Sequence, residues 1–233
     1  MTGTIINFVT IVLGSLIGLF FGSKLPDSLK NTVISGMGLF TTAVGIQMFL
    51  KTQNPLIDLG ALVLGGILGE MIDIEDGIKR FGVILENRFA GGSSGTGSNF
   101  VRGFLSASVL FCTGPMAVLG SISDGLKGDY LTLSIKSIMD GIIGIAFTST
   151  LGIGVAFSAL PVLVYQGGIS LLAGQLNAII TDTMMNEMTA TGGVLLMGIG
   201  ISSLLELKKI NVGNFLPALV IAPTIAYLLE KFF

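Results

Sequence analysis

The longest uncharged stretch of this chain runs for 41 residues, from Gly141 to Thr181, and lies between Asp140 and Asp182. A membrane-spanning helix needs about 20 mostly apolar residues, so this stretch could supply two such helices in lipid. Of the 233 residues only 11% are charged and 51% are hydrophobic, and the mean hydropathy is +0.88. The sequence therefore predicts an all-α integral membrane protein, a polytopic bundle of transmembrane helices in a single membrane domain (1–233).

Composition excludes several functional classes. The chain has no histidine and one cysteine, Cys112, so the usual histidine- or thiolate-ligated metal centre and an intramolecular disulfide are both excluded. A net charge of −2 gives no reason to expect nucleic acid as a partner, and no Gly-Lys-Ser/Thr phosphate loop is present. We expect no cofactor and no enzyme activity. The expected partners are the lipid bilayer and a small solute or ion, and the 34 glycines allow a tightly packed homodimer.

Hydropathy divides the chain into about eight spans. They are 4–22, 32–50, 55–72, 101–122, 131–149, 152–174, 188–206 and 211–229. Seven spans remain possible, because the uncharged stretch is either two helices turning near 152–154 or one helix ending near 160–161 with a re-entrant piece after it. Lysine and arginine side chains favour eight, since they divide eight to four between the two membrane faces. This bias predicts that both termini lie outside.

A polar segment at 73–98 separates two groups of spans. Its apolar residues recur at helical spacing opposite charged ones, which predicts an amphipathic helix on the membrane surface, and a Gly/Ser-rich linker follows at 91–98. We therefore divide the domain into a first repeat half (1–72), this helix and linker, a central broken-helix segment (99–141) and a second repeat half (142–233).

Internal similarity indicates an inverted repeat. Residues 44–50 match 199–205, and residues 58–64 match 214–220. The positive charge of the matching loops differs, which is expected if the two copies cross the membrane in opposite directions. Inverted repeats build many secondary transporters, with the binding site near the midplane. The alternative is a duplicated bundle that transports nothing.

The fourth span is interrupted in its middle by Thr113, Gly114 and Pro115. Proline removes a backbone donor and its ring clashes with the preceding turn, so the helix kinks or breaks there. Thr113 could cap a second half-helix, whose N–H groups at membrane depth would attract an anion or a carboxylate. A plain proline kink is the alternative.

The fifth span carries Lys136 and Asp140, four residues apart on one helix face and able to form an ion pair. An ionisable residue inside a membrane span is by default a functional hypothesis, because inserting it costs about 2.5–3.5 kcal/mol. We predict that Asp140 couples proton or cation movement. Alternatively the two residues form a structural ion pair, or Lys136 extends to the membrane surface.

Uncharged polar residues inside spans extend the candidate site. Gln47 and Ser202 occupy matching repeat positions and could face one cavity, while Thr191 could line its entrance. Asn7 lies in the first span, and interhelical hydrogen bonding is the more common role of such residues.

The central motifs resemble an uncharacterised family of bacterial membrane proteins, the YdfK/YqgA type or domain of unknown function 554. The resemblance rests on Cys112–Ser121, Asp124-Gly125, Gly128-Asp129, Lys136–Gly141, Gly3–Asn7 and the glycines at 14, 18 and 22. It implies a multi-pass protein of the bacterial plasma membrane. It implies no substrate and no catalytic residue.

Together these features predict a transporter or channel for a small solute or ion, proton- or cation-coupled through Asp140. The alternative is a scaffold or accessory subunit that binds a partner protein or lipid without transport.

Overall fold

The computed structural model describes residues 1–22, 26–89, 97–112 and 115–232, and all regular secondary structure within them is helical, which confirms the all-α prediction. The helices are α1 (Thr2–Gly22), α2 (Asp27–Phe49), α3 (Pro55–Ile72), α4 (Ile74–Phe89), α5 (Gly97–Cys112), α6 (Pro115–Lys127), α7 (Leu131–Leu151), α8 (Gly154–Phe157), α9 (Ala159–Leu171), α10 (Ala173–Asn177), α11 (Asp182–Ile199) and α12 (Ala218–Phe232). Between the last two lie a π-helical turn, Gly200–Leu204, and a 3-10 turn, Val212–Phe215.

Within the described residues, six helical segments are long and apolar enough to cross a membrane. They are Thr2–Gly22, Asn31–Phe49, Pro55–Ile72, Leu131–Leu151, Gly154–Leu171 and Val212–Phe232. A seventh is possible if Phe100–Cys112 and Met116–Lys127, which are bent by 60°, form one broken span. The chain is thus a polytopic helical membrane protein. Helix α11, which corresponds to the predicted span 188–206, is not among these segments.

Helix α1 buries its small and polar residues and exposes its apolar ones, the reverse of a water-soluble protein. Thr4 and Asn7 are fully buried, whereas Leu13, Leu16 and Phe20 are each more than half exposed. Lipid tails are as apolar as leucine, so large apolar side chains can face the bilayer while small residues allow helices to approach. This pattern is expected of a helix surrounded partly by lipid.

The contacts group into two compact units. The first contains residues 1–37 and 81–179, and the second contains 38–80 and 180–233. Each unit combines two segments that are separated in sequence, so the units are divided differently from the repeat halves drawn from the sequence.

In the first unit α1 and α7 pack in parallel through small residues. Gly14 faces the backbone of Gly141, Gly18 faces that of Ile145, and Gly22 faces that of Ser149. A Cβ atom on Gly18 would lie 2.5 Å from the carbonyl oxygen of Ile145. Glycine at every fourth residue therefore sets the close approach of these two helices.

The uncharged stretch contributes to two helical segments of membrane-spanning length, Leu131–Leu151 and Gly154–Leu171, rather than to one. Helix α7 ends at Leu151, and Gly152 adopts a φ of 79°, a left-handed conformation that favours glycine. The chain then continues within the same unit as α8 and α9. The turn near 152–154 is thus the alternative that the structure adopts.

In the second unit, the segment that contains α2 and α3 packs against the segment that contains α11 and α12, and the packed helices run in opposite directions. Along α2, Gly38 faces Leu205 and Gly45 faces Met197, so α2 and α11 are antiparallel. Helices α3 and α12 are also antiparallel, and their contact is a cluster of small and branched residues: Ile57, Ala61, Ala218, Ala222 and Ala226.

Helix α4 starts at the membrane-surface segment predicted to be amphipathic. Asp73, with a φ of 55°, ends α3 in a left-handed conformation, and Ile74 begins the new helix. The Glu75 carboxylate accepts a hydrogen bond from Gly213 N at 2.7 Å, and Glu75 N donates to the Asn214 side chain at 2.7 Å. The start of α4 is thus fixed to the second unit, whereas residues 91–96 of the predicted linker lie outside the described residues.

Candidate functional site

Helix α7 places two opposite charges in the interior of the first unit. Lys136 and Asp140 are 6% and 5% exposed, and the Lys136 ammonium forms an ion pair with Oδ2 of Asp140. Ile138 and Ile142, on the other side of α7, are more than 60% exposed. The 3.6-residue period therefore directs the charged residues inwards and the apolar ones outwards.

Two amide side chains from other helices join this pair. Asn7 of α1 donates from Nδ2 to Oδ2 of Asp140 at 3.0 Å and to Oε1 of Gln166 of α9 at 3.3 Å. Both amide residues have no exposed surface. Three helices thus contribute one carboxylate, one ammonium and two amides to a single buried polar cluster, which we call the Asp140 cluster: Asn7, Lys136, Asp140 and Gln166.

An aromatic ring borders the cluster. The Nζ atom of Lys136 lies 5.8 Å from the centre of the Phe111 ring, and Phe111 is fully buried. A cation at this distance from a ring face is attracted by about 0.5–2 kcal/mol, more when it is desolvated. Phe111 is the second-last residue of α5, so the ring brings that helix to the site.

The cluster has hydrogen-bonding capacity that the described part of the chain does not fill. Oδ1 of Asn7 and Nε2 of Gln166 are buried and have no hydrogen-bond partner among the described residues. A buried amide atom left without a partner costs free energy, about 1–3 kcal/mol. An unfilled acceptor and an unfilled donor therefore lie beside a buried ion pair, a combination suited to a small polar or charged ligand.

The chemistry open to the Asp140 cluster depends on its single carboxylate. The described residues contain no group of three acidic, cysteine or histidine side chains that could hold a metal ion. One carboxylate, paired with one ammonium, can instead exchange that partner for a proton or for another cation.

The sequence-predicted residues fall in different places. Lys136 and Asp140 form the predicted pair, and Lys136 is too buried to reach the membrane surface. Pro115 is the first residue of α6, while Thr113 and Gly114 lie outside the described residues. Gln47 is exposed on α2.

Ser202 and Thr191 belong to the second unit. The Ser202 hydroxyl donates to the carbonyl of Ile210 at 3.1 Å and accepts from its N–H at 2.8 Å, so it closes the turn after α11. Thr191 donates to Oδ1 of Asp58 at 2.7 Å, and both residues are buried.

A fully buried acid holds the turn between α2 and α3. Glu187 accepts hydrogen bonds from Gln53 N at 2.8 Å, Asn54 N at 3.1 Å and the Thr52 hydroxyl at 2.8 Å. Three donors at the start of α3 satisfy this carboxylate. Glu187 thus has a structural explanation, and it is not a residue of the Asp140 cluster.

Sequence reasoning missed two members of the site. Gln166 is an amide inside the uncharged stretch, and this position could have marked it, as it marked Asn7 in α1. Phe111 gave no signal, since one of 15 phenylalanines in apolar helices is indistinguishable from the others.

The chain matches one protein-family model over nearly its whole length. The model of the family described as "Protein of unknown function (DUF554)" matches residues 2–227. The chain is 34% identical over 236 residues to "Uncharacterized membrane protein YdfK" of Bacillus subtilis (strain 168), covering 100% of this chain and 98% of that protein. It is 28% identical over 221 residues to "Uncharacterized protein YqgA" of Escherichia coli (strain K12), covering 94% of each.

No solved structure matches the chain. The family match extends over nearly every helix described above, including the four residues of the Asp140 cluster. The chain therefore belongs to the DUF554 family of membrane proteins.

Proposed function

We propose that this protein moves a small solute or an ion across the bacterial plasma membrane, and that Asp140 couples this movement to a proton or another cation. The observation that carries the proposal is the ion pair of Lys136 and Asp140, buried within a helix long and apolar enough to span the membrane.

Stability alone gives little reason for such a pair. Each charged residue at the centre of a span costs about 2.5–3.5 kcal/mol on insertion. Replacing a buried ion pair with well-packed apolar residues of similar volume is often neutral or stabilising. A helix that carries this cost twice within five residues, Lys136 to Asp140, is better explained by a use for the charges than by packing.

The second unit supports the proposal through its arrangement of repeats. In the alignment of 44–50 with 199–205, Gly45 corresponds to Gly200, and the same offset, extended towards the N-terminus, pairs Gly38 with Gly193. A Cβ on Gly45 would meet the carbonyl oxygen of Gly193 at 2.6 Å, and one on Gly200 would meet that of Gly38 at 2.9 Å. An inverted two-fold repeat exchanges these two contacts, and inverted repeats are common in secondary transporters.

The orientation follows from charge. Eight crossings, with α5 and α6 as one broken span and α11 as another, place both termini outside and most lysine and arginine residues inside. Antiparallel packing of α2 with α11 and of α3 with α12 is compatible with this topology.

The proposal is tested by flux in proteoliposomes. Purified protein is reconstituted with a trapped pH-sensitive dye for H⁺, and separately with tracer Na⁺ or K⁺, under an imposed gradient. The variants are Asp140→Asn and, as the matched control, Asp129→Asn. Asp129 is an exposed acid before the same helix, and its side chain accepts from Leu131 N, which asparagine can also do.

We expect wild type and Asp129→Asn to carry at least one of these ions well above empty liposomes, and Asp140→Asn to lose at least nine-tenths of that flux. Flux of none of the three ions by wild type, or equal flux by Asp140→Asn, would contradict the proposal. Flux in wild type and its loss in Asp140→Asn would also distinguish a transporter from a membrane scaffold.

A further inference from the structure

We infer that the coupling ion is a monovalent metal cation of the Na⁺ or K⁺ type, and that it binds at Asp140 in place of the Lys136 ammonium, with amide oxygens of Asn7 and Gln166 as further ligands. This inference rests on the proposed function and names the ion that the same site takes.

The Asp140 carboxylate already binds a cation in the structure, the ammonium of Lys136. The Lys136 ammonium contacts Oδ2 of Asp140, and the Asn7 amide contacts the same oxygen at 3.0 Å. The ammonium is thus a cation held by its own helix at the carboxylate. The site has one carboxylate and one ammonium. When Lys136 moves away, one monovalent cation can take its place and neutralise the carboxylate.

The amide side chains of Asn7 and Gln166 can supply oxygen ligands for a metal cation. A proton needs only the carboxylate, whereas an alkali-metal cation needs several oxygens to replace its water shell. Asn7 and Gln166 have no exposed surface, and each has one amide atom without a partner in the described part of the chain. Rotation of an amide exchanges its nitrogen and oxygen at nearly the same positions. In the structure Asn7 donates to Asp140 and to Gln166, and Gln166 accepts. With the Asn7 amide rotated, both side chains can present oxygens to a metal cation.

The Phe111 ring offers a second position for the Lys136 ammonium when a metal cation displaces it from Asp140. Lys136 has a flexible four-carbon stem, and its Nζ lies 5.8 Å from the ring centre. Movement towards the ring face keeps the ammonium in an attractive field without the carboxylate.

Charge and ligand number decide the class of cation. A monovalent ion leaves one uncompensated positive charge, on the displaced Lys136, whereas a divalent ion would leave two, and hard divalent ions usually recruit more than one carboxylate. Asp140 is the one carboxylate that the described residues place in this cluster. The site therefore fits a monovalent cation.

The experiment measures cation-dependent stability of the full-length protein in detergent, independently of any flux. Thermal melts followed by helical circular dichroism are recorded at one pH with increasing NaCl or KCl, and choline chloride keeps the ionic strength constant. Wild type is compared with Lys136→Met, with the doubly substituted Asn7→Leu/Gln166→Leu, and with Lys127→Met, an exposed lysine at the end of α6, as the control.

Because Lys136 competes with the ion, Lys136→Met should be half-saturated at a cation concentration at least ten-fold below that of wild type, and Lys127→Met should match wild type. Asn7→Leu/Gln166→Leu, which keeps the ion pair, should lose the cation-dependent rise in Tm. An unchanged half-saturating concentration in Lys136→Met, or an unchanged cation effect in the amide variant, would overturn the inference.

If Lys136→Met does not fold, the amide variant alone decides: loss of the cation effect supports the inference and its retention overturns it. Proton flux that depends on Asp140, together with melts that no cation shifts, would overturn this inference and leave the proposed transport intact. If no ion flux is measured but cations raise Tm in a way that depends on Lys136, the proposed transport would be contradicted, and binding of the cation at Asp140 would stand.

Discussion

The side-chain amide of Asn7 donates to the Asp140 carboxylate at 3.0 Å and thereby joins α1 to α7 at the level of their most polar residues. The two helices approach closely because glycines line the contact, and the hydrogen bond fixes the carboxylate opposite the amide. Small residues thus bring the backbones together, and a polar pair determines which side chains meet.

Removing this hydrogen bond should weaken the first unit. Asn7→Leu has nearly the same size but cannot donate to Asp140 or to Gln166. Hydrogen bonds between membrane helices contribute about 0.6 kcal/mol on average and up to about 1.7 kcal/mol. We expect a loss near the upper value, since the acceptor is charged, measured by unfolding in SDS mixed micelles. Asn31→Leu, at an exposed position of α2, should change little. Equal stability of the two variants would argue against a specific role of Asn7.

Breaking the ion pair should cost more than removing it entirely. Lys136→Met leaves Asp140 buried without its cation, and such changes cost about 3–5 kcal/mol. Adding Asp140→Leu to the same chain removes the unpaired charge and should restore most of the stability. The free energy of unfolding of both variants, in the same micelles, tests this. A double variant as unstable as the single one would show that packing, rather than charge, explains the loss.

The close contact of α1 with α7 at Gly18 can be tested by adding one methyl group to this glycine. Gly18→Ala places its Cβ 2.5 Å from the Ile145 carbonyl oxygen and 2.9 Å from Cβ of Thr148, and the opposing backbone has little freedom to move. We expect a loss of about 1–3 kcal/mol. Gly168→Ala, in α9, meets nothing within 4 Å and should be neutral or slightly stabilising, because alanine favours helix by about 1 kcal/mol. The same loss in both variants would contradict the role given to Gly18.

The proposed inverted repeat predicts which loops face which side of the membrane. The turn after α2 and the segment after α11 lie at opposite ends of an antiparallel pair. In a Cys112→Ser background, Lys51→Cys should react with an impermeant maleimide on intact cells. Lys208→Cys should react only after permeabilisation. Both positions are exposed. Reaction of both from the same side would exclude the inverted repeat.

Local features of the chain could be predicted because they depend on neighbours in sequence. The pairing of Lys136 with Asp140 follows from their spacing on one helix, and the helix at Ile74–Phe89 follows from periodicity. The turn near Gly152 was one of two alternatives that the sequence allowed, and it is the one that the structure adopts. Each of these inferences needed fewer than twenty residues of context.

The remaining features depend on contacts between distant segments. Nothing near Gln166 in the sequence indicates that it meets Asn7, 159 residues away. Matching repeat positions suggested that Gln47 and Ser202 face one cavity, but Ser202 bonds to the backbone of Ile210, and Gln47 is exposed. Repeat position determines which helix a residue lies on, whereas the packing of that helix determines where its side chain is directed.

If the Asp140 carboxylate carries charge across the membrane, transport must depend on the side chain at this position, and three side chains there can be compared. Tracer cation and proton flux should be measured in proteoliposomes with wild type, Asp140→Asn and Asp140→Glu at equal protein density. We predict that asparagine abolishes flux and that glutamate, which keeps the carboxylate one methylene further out, retains a measurable part. Equal flux with asparagine and aspartate at position 140 would contradict the account.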